Sequence, residues 1–110
     1  MAIADDIILD FTGIEENHSE LTLQQVDASP NPFTQITHFT FKLPRGTEYR
    51  IELFDVLGRQ VRTISGTSSG EAESVVWNRK DERGTLVGAG VYLYRFKSSI
   101  VNKFGKVVVR

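Results

Sequence analysis

The sequence predicts an all-β protein, an antiparallel β-sandwich with seven strands. Short segments of alternating apolar and polar residues recur at regular spacing, and turn-forming residues separate them. No segment long enough for a helix shows a convincing helical repeat of apolar residues. The chain has 110 residues, of which 40% are hydrophobic and 25% charged, which indicates one globular domain.

The clearest alternation lies in the middle of the chain. From Thr37 to Leu43 every second residue is apolar, and the run Tyr49–Leu53 repeats the pattern. Pro44–Thr47 lies between them and contains proline and glycine, which favour turns. We therefore predict that these two runs form an antiparallel pair joined by a short loop. In order, the predicted strands are Leu21–Val26, Thr37–Leu43, Tyr49–Leu53, Gln60–Ile64, Ala72–Trp77, Gly90–Lys97 and Phe104–Arg110.

Glycine and apolar residues add detail to this prediction. Gly58 lies in a tight connection, Asp55–Arg59, that calls for a positive φ. The segment Val91–Tyr94 is apolar or aromatic on both faces, which is typical of a central strand. The period-two pattern selects as core candidates Phe39, Phe41, Ile51, Leu53, Val76, Tyr92, Tyr94 and Val108.

Charge divides the chain into an acidic arm and a basic body. The first 29 residues hold seven of the 14 acids and no Lys or Arg, whereas all 13 Lys and Arg follow. We predict that residues 1–20 are an acidic linker and residues 21–110 the domain. The segment Asp5–Phe11 is an eighth strand, the end of a preceding domain or an unpaired arm. The first residues lack the basic start and apolar core of a signal peptide, and no apolar run is long enough for a membrane helix.

The residue inventory argues against catalysis and against metal or cofactor binding. Without cysteine, thiolate metal sites and cysteine nucleophiles are excluded. The histidines are His18 in the arm and His38 on the polar face of a strand, and no Gly-x-Ser-x-Gly elbow is present. The acids do not follow a calcium-loop pattern, and Asp81 is expected to shape a turn. A pI of about 6.1 disfavours nucleic-acid binding.

Pro30-Asn31-Pro32-Phe33 is predicted to be a stiff bridge that crosses from one sheet to the other. The prolines fix φ and cannot donate to a strand ladder. Phe33 is expected to anchor the segment in the core, and Asn31 to cap or turn it.

Several motifs in one order resemble a known family. They are Pro30-Asn31-Pro32, the strand and turn Ile51–Val61 with Leu57-Gly58-Arg59, Gly90-Val91-Tyr92, and the terminal Lys106–Arg110 with its Lys-x-x-x-Arg pattern. Residues 28–110 resemble the type A C-terminal sorting domain of the type IX secretion system. The resemblance implies a seven-stranded Ig-like sandwich that serves as a cargo tag and is not an enzyme.

The resemblance also implies partners and a location. Such a domain ends a cargo protein that is carried from the periplasm across the outer membrane to the cell surface or the extracellular space. The secretion machinery recognises the folded domain, and a sortase cuts the preceding linker, without membrane insertion of the domain. The residues Gly13, Ile14, Glu15 and Glu16 resemble that linker and form the expected cleavage region.

Matching residues are carried over as expected partner-binding positions. They are Pro30, Asn31, Pro32, Gly58, Arg59, Gly90, Tyr92, Lys106, Val107, Val108, Val109 and Arg110. On a regular strand Lys106, Val108 and Arg110 share one face, and Val107 and Val109 share the other. We expect one valine set to be buried, and the free amides of the last strand to lie on a sheet edge and accept a partner strand.

Two alternatives come from other functional classes. One is an Ig-like assembly scaffold similar to the flagellar hook-capping module. The other is a carbohydrate-binding sandwich, which requires exposed aromatic rings at Trp77 or Tyr92.

Overall fold

A computed structural model describes residues 26–110 of the chain. It contains seven strands, as predicted: β1 (Asp27–Ser29), β2 (Thr37–Lys42), β3 (Glu48–Phe54), β4 (Gln60–Thr67), β5 (Ala72–Trp77), β6 (Gly90–Ser98) and β7 (Asn102–Val109). Every strand pair is antiparallel. The strands form a three-stranded sheet in the order β1-β2-β5 and a four-stranded sheet in the order β4-β3-β6-β7. The predicted all-β sandwich is therefore confirmed, and β6 is a central strand.

The predicted pairing of the Thr37–Leu43 and Tyr49–Leu53 runs is wrong. The strand β2 pairs with β1 and β5, whereas β3 pairs with β4 and β6, so the loop between them crosses from one sheet to the other. The rings of Phe41 and Tyr49 meet across the sandwich with centroids 4.7 Å apart. An alternating pattern marks one buried face, but it does not distinguish a hydrogen-bonded neighbour from a strand in the facing sheet.

The core lies between the sheets and is rich in aromatic rings. Six of the eight core candidates are buried: Phe39, Phe41, Ile51, Leu53, Tyr92 and Tyr94. The other two predictions are wrong. Val76 is 45% exposed, and Val108 is half-buried. Their neighbours Trp77, Val107 and Val109 point inward instead, because successive strand residues face opposite sides.

Two buried tyrosines lie across glycines on neighbouring strands. Gly105 is the cross-strand partner of Tyr94, and Gly66 is the partner of Tyr49. A Cβ added at either glycine would lie 2.5 Å from the tyrosine hydroxyl oxygen. Each glycine therefore leaves the space that the ring of its partner occupies.

The predicted first strand does not coincide with β1. Strand Leu21–Val26 lies outside the described residues except for Val26, which is buried but not in a strand. The first described strand begins at Asp27 and ends before Pro30, which lacks the N–H that a ladder needs. The predicted linker 1–20, with Gly13–Glu16, His18 and the segment Asp5–Phe11, lies wholly outside the described residues. Within residues 26–110, no helix is long and apolar enough to span a membrane.

Candidate functional site

The sequence motifs meet at one end of the sandwich, here called the motif end. It consists of Pro30–Phe33, Asp55–Arg59, Trp77–Arg79, Gly88–Tyr92 and Lys106–Arg110. The registers explain this convergence: Gly90 at the start of β6 pairs with Val109 at the end of β7, and Phe54 before the β3–β4 turn pairs with Leu93. Positions that are far apart in the sequence thus form one surface.

The side chain of Asn31 binds the last strand. Its Nδ2 donates a hydrogen bond to the carbonyl oxygen of Lys106, and its Oδ1 accepts one from the N–H of Val108, both at 2.9 Å. An asparagine amide suits this position because it offers a donor and an acceptor side by side. The expected cap or turn role of Asn31 is therefore corrected to a contact with β7.

Phe33 continues the contact with its backbone and its ring. Its N–H donates to the carbonyl oxygen of Val108, and its carbonyl oxygen accepts from the N–H of Arg110, each at 2.9 Å. The ring is buried, and its centroid lies 5.7 Å from that of Trp77 in an edge-on arrangement. The anchoring role of Phe33 is confirmed. The predicted crossing from one sheet to the other is wrong, because the segment joins β1 and β2 of the same sheet and reaches the other sheet only through its contacts with β7.

These contacts bear on the prediction that the free amides of the last strand accept a partner strand. The last strand does lie at an edge, as predicted. However, the carbonyl oxygens of Lys106 and Val108 and the N–H groups of Val108 and Arg110 are bonded to Asn31 and Phe33. The amides of Val108 and Arg110 are thus not free to accept a partner strand, because the Pro-Asn-Pro-Phe segment occupies that edge.

Arg79 joins three segments at the motif end, a role that no sequence motif indicates. Its guanidinium donates to the carbonyl oxygens of Val87, Thr34 and Arg110 at distances of 2.9 to 3.3 Å. Arg79 has φ of 67°, which is rare for a residue with a side chain. It lies in the polar run Asn78–Gly84, where nothing in the sequence separates it from neighbouring charged residues.

The turn between β3 and β4 is organised by Asp55. Its Oδ1 accepts hydrogen bonds from the N–H groups of Leu57 and Arg59, and its Oδ2 accepts one from Arg59 Nε at 2.8 Å. These bonds, first of all the one from the Arg59 backbone, hold the pKa of Asp55 below its ordinary value. Gly58 has φ of +84°, as predicted, and Val56 and Leu57 point into solvent.

Tyr92 is a core residue with a bonded hydroxyl. It is buried, its ring lies 5.7 Å from that of Trp77, and its hydroxyl donates to the carbonyl oxygen of Gly88 at 2.8 Å. Burial and then the nearby charge of Asp55 raise its pKa, while Arg79 acts in the opposite direction. Because Trp77 is also fully buried, neither ring offers the exposed platform that the carbohydrate-binding alternative requires.

The predicted site residues divide into internal and external groups. Val107 and Val109 are buried, as predicted for one of the two valine sets, and Asn31 and Tyr92 are tied to other segments. The solvent-facing positions are Pro30, Pro32, Gly58, Arg59, Gly90, Lys106 and Arg110. The two prolines and Arg110, with Ile36, line a shallow groove of about 350 Å³. The surface of the motif end therefore carries prolines and cations, and the segments beneath it are joined by hydrogen bonds.

In the described part of the chain, the other candidate catalytic or metal-binding side chains do not lie together. His38 Nδ1 lies 3.0 Å from Ser74 Oγ on a neighbouring strand. Asp81 shapes its turn as predicted, because its Oδ1 accepts from the N–H groups of Arg83 and Thr85. Among residues 26–110, no group of three His, Cys, Asp or Glu side chains is placed to hold a metal ion.

Comparison with known proteins gives a family match and several solved structures with a similar fold. The family model described as "Secretion system C-terminal sorting domain" matches residues 28–110. The structure of dimeric latent PorU from Porphyromonas gingivalis is similar, with 23% identity and a TM-score of 0.66 over 76% of this chain. PorZ, a bacterial surface component of the type IX secretion system of the same organism, has 20% identity and a TM-score of 0.61 over 84%.

The present chain spans only 9% of the PorU chain and 12% of the PorZ chain. The comparison with curated proteins gives no match.

Proposed function

The chain belongs to the family of type IX secretion system C-terminal sorting domains, and from that membership we propose that the secretion machinery recognises the folded motif end. The domain is a non-catalytic sorting signal that directs the secretion of cargo. It interacts with the secretion machinery, and its cargo is secreted or held at the outer-membrane surface.

One observation carries the proposal: the backbone of Lys106–Arg110 is bonded internally while its charged side chains face solvent. Asn31 and Phe33 use the outward amides and carbonyls of this strand. The side chains of Lys106 and Arg110 are exposed and lie at the two ends of the terminal motif. Contact through charged side chains, with an acidic surface on the machinery, therefore fits better than strand addition at this position.

We assign different roles to the other carried-over residues. Pro30, Pro32 and Arg59 face solvent and are proposed to form the contact surface with Lys106 and Arg110. The other residues are proposed to hold that surface in place; they are Asn31, Gly58, Gly90, Tyr92 and the three terminal valines.

We further propose that the cargo precedes the domain in the same polypeptide and is released at Gly13–Glu16. A sortase at the outer membrane then cuts within this acidic, glycine-containing segment, and the cargo is anchored at the cell surface or set free. Protease substrates must present extended backbone, and a linker ahead of a folded domain can provide it.

The first experiment separates contact from folding. The domain is fused to a periplasmic reporter in a host that has this machinery, and the extracellular reporter is measured. Lys106→Ala with Arg110→Ala should reduce export several-fold while the unfolding midpoint stays near that of the wild type. The matched control Lys42→Ala with Arg45→Ala removes one exposed lysine and one exposed arginine away from the terminal motif and should export normally.

Deleting residues 106–110 should block export for a second reason. The deletion also removes the buried Val107 and Val109 and the bonding partners of Asn31, so the domain should lose stability as well. Normal export of the double alanine variant would refute the contact role of the two cations. Normal export of a folded deletion variant would refute the sorting role of this end of the chain.

The second experiment locates the cut. Mass spectrometry of the exported reporter should find its new C-terminus between Gly13 and Glu16. Replacing Gly13–Glu16 by four prolines should leave export unchanged and produce an uncut fusion at the cell surface. A C-terminus elsewhere, or normal processing of the proline variant, would contradict the proposed cleavage region.

A further inference from the structure

The outer face of the four-stranded sheet carries an apolar patch. Cross-strand partners share a face, and the register pairs Val91 with Val108, Leu93 with Phe54, and Arg95 with Phe104. These pairs lie on the face opposite the core, where Val91, Leu93 and Phe104 are 39%, 44% and 65% exposed. We call Phe54, Val91, Leu93, Phe104 and Val108 the outer patch.

Adjoining apolar residues of this kind are unusual on a sheet face that meets water. An antiparallel sheet with one wet face normally alternates apolar and polar residues, whereas β6 is apolar on both faces from Val91 to Tyr94. Single exposed apolar side chains need no explanation, but a larger contiguous group of them marks an interaction surface.

The charges around the outer patch favour binding of an acidic segment. On β3, β6 and β7 the outward cations are Arg50, Arg95, Lys97 and Lys106, against the carboxylates Glu48 and Glu52. Glu52 is already bonded, because Arg95 Nη2 lies 2.6 Å and Arg50 Nε 3.2 Å from its oxygens. Arg95 also lies over the ring of Phe104, with Cζ 5.9 Å from the centroid. A segment that fits this face must therefore combine apolar side chains with carboxylates.

One segment of this chain has that composition. Asp5–Phe11 contains three aspartates together with Ile7, Ile8, Leu9 and Phe11. We propose that Asp5–Phe11 folds back on the domain and covers the outer patch, with its apolar residues on Leu93 and Phe104 and its aspartates near Lys106 and Lys97. The inference goes beyond the sorting function, because it concerns a contact within the chain.

The position of Val26, the first described residue, is compatible with this contact. The carbonyl oxygen of Val26 accepts a hydrogen bond from Lys103 Nζ at 2.8 Å, so the chain enters the domain beside β7. The next residue along β7 is Phe104, in the outer patch. The 14 residues between Phe11 and Val26 can span up to about 50 Å, which exceeds the longest dimension of the molecule, 44 Å. The linker is thus long enough, and the shortest route to the patch crosses one edge strand.

The absence of cysteine makes the test direct. A single cysteine introduced as Ala4→Cys in the full 110-residue chain can carry a nitroxide spin label without competing sites. In ¹⁵N–¹H spectra the amide signals of Leu93, Phe104 and Lys106 should lose most of their intensity, whereas those of β5, in the other sheet, should keep theirs. The losses should shrink as the salt concentration is raised, because part of the contact is electrostatic.

Two variants at positions of similar exposure test the contact and control for the added charge. Leu93→Glu places a carboxylate in the outer patch and should restore the signals of Phe104 and Lys106. Val76→Glu makes the same change at a valine on the other sheet, where 45% exposure matches the 44% of Leu93, and it should restore nothing.

Uniform signal loss over both sheets, no loss at all, or the same loss in the Leu93→Glu variant would each overturn the proposal. None of these outcomes depends on whether the domain is exported.

Discussion

Asn31 accepts a hydrogen bond from the N–H of Val108 at 2.9 Å, although the two residues are 77 positions apart in the sequence. The same side chain donates to the carbonyl oxygen of Lys106. The terminal strand is therefore held at two consecutive outward backbone positions by one residue of the Pro-Asn-Pro segment. The position of the charged terminal motif therefore depends on a side chain near the start of the domain's sequence.

Replacing Asn31 by alanine should lower the free energy of unfolding by about 1–2 kcal/mol, since two hydrogen bonds to the backbone of β7 are lost. Asn31→Asp should fall between the wild type and alanine, because a carboxylate still accepts from Val108 but cannot donate to Lys106. Urea denaturation of the full chain gives these values.

The matched control for Asn31 is Asn78→Ala. Asn78 is exposed and makes no side-chain hydrogen bond within residues 26–110, so its variant should stay near the wild type. Equal stability of the Asn31 and Asn78 variants would show that the Asn31 contact does not hold β7.

Gly105→Ala should destabilise the domain by about 1–3 kcal/mol, because a Cβ at this position overlaps the ring of Tyr94. Gly88→Ala is the control, since a Cβ there meets no atom within 4 Å and φ is not in the left-handed region. Thermal unfolding compares the two variants. The double variant Gly105→Ala with Tyr94→Leu should lose less than the sum of the single losses. A strictly additive result would contradict the steric explanation.

Arg79→Gly and Arg79→Ala test strain and hydrogen bonding separately. Both lose the bonds from the guanidinium to three carbonyl oxygens, at a cost of about 2 kcal/mol. Glycine adopts a φ of 67° without penalty, so Arg79→Gly should be more stable than Arg79→Ala by about 1 kcal/mol. Chemical denaturation measures the difference. An alanine variant as stable as the glycine variant would indicate that the backbone relaxes when the side chain is removed.

Acid should weaken the β3–β4 turn through Asp55. Its pKa is lower in the folded protein than in the unfolded chain, so its contribution to stability is present above about pH 4 and is lost as the pH falls further. We expect the wild type to lose more stability between neutral pH and pH 3 than Asp55→Asn does. Denaturation curves at a series of pH values measure this, and parallel curves for the two proteins would disprove the role of Asp55.

Much of the fold follows from local pattern. The alternation of Phe39, Phe41 and Leu43 with polar residues identifies a strand and its buried face, and Gly58 identifies a turn with positive φ. At the motif end, the break between β1 and β2 at Pro30–Phe33 also follows, because proline cannot donate to a ladder. Local pattern does not predict that Arg79 joins three carbonyls, since those carbonyls come from other parts of the chain.

The sequence by itself determined six of the seven strands, most of their buried faces and the order of motifs that marks the family, because these depend on spacing between near neighbours. The tertiary structure decided that β2 and β3 face each other across the core, that Val107 and Val109 rather than Val108 are buried, and that Asn31 and Phe33 occupy the edge of β7. These features depend on which strands meet in space. A period of two is compatible with several pairings, and only the closure of both sheets around one core selects among them.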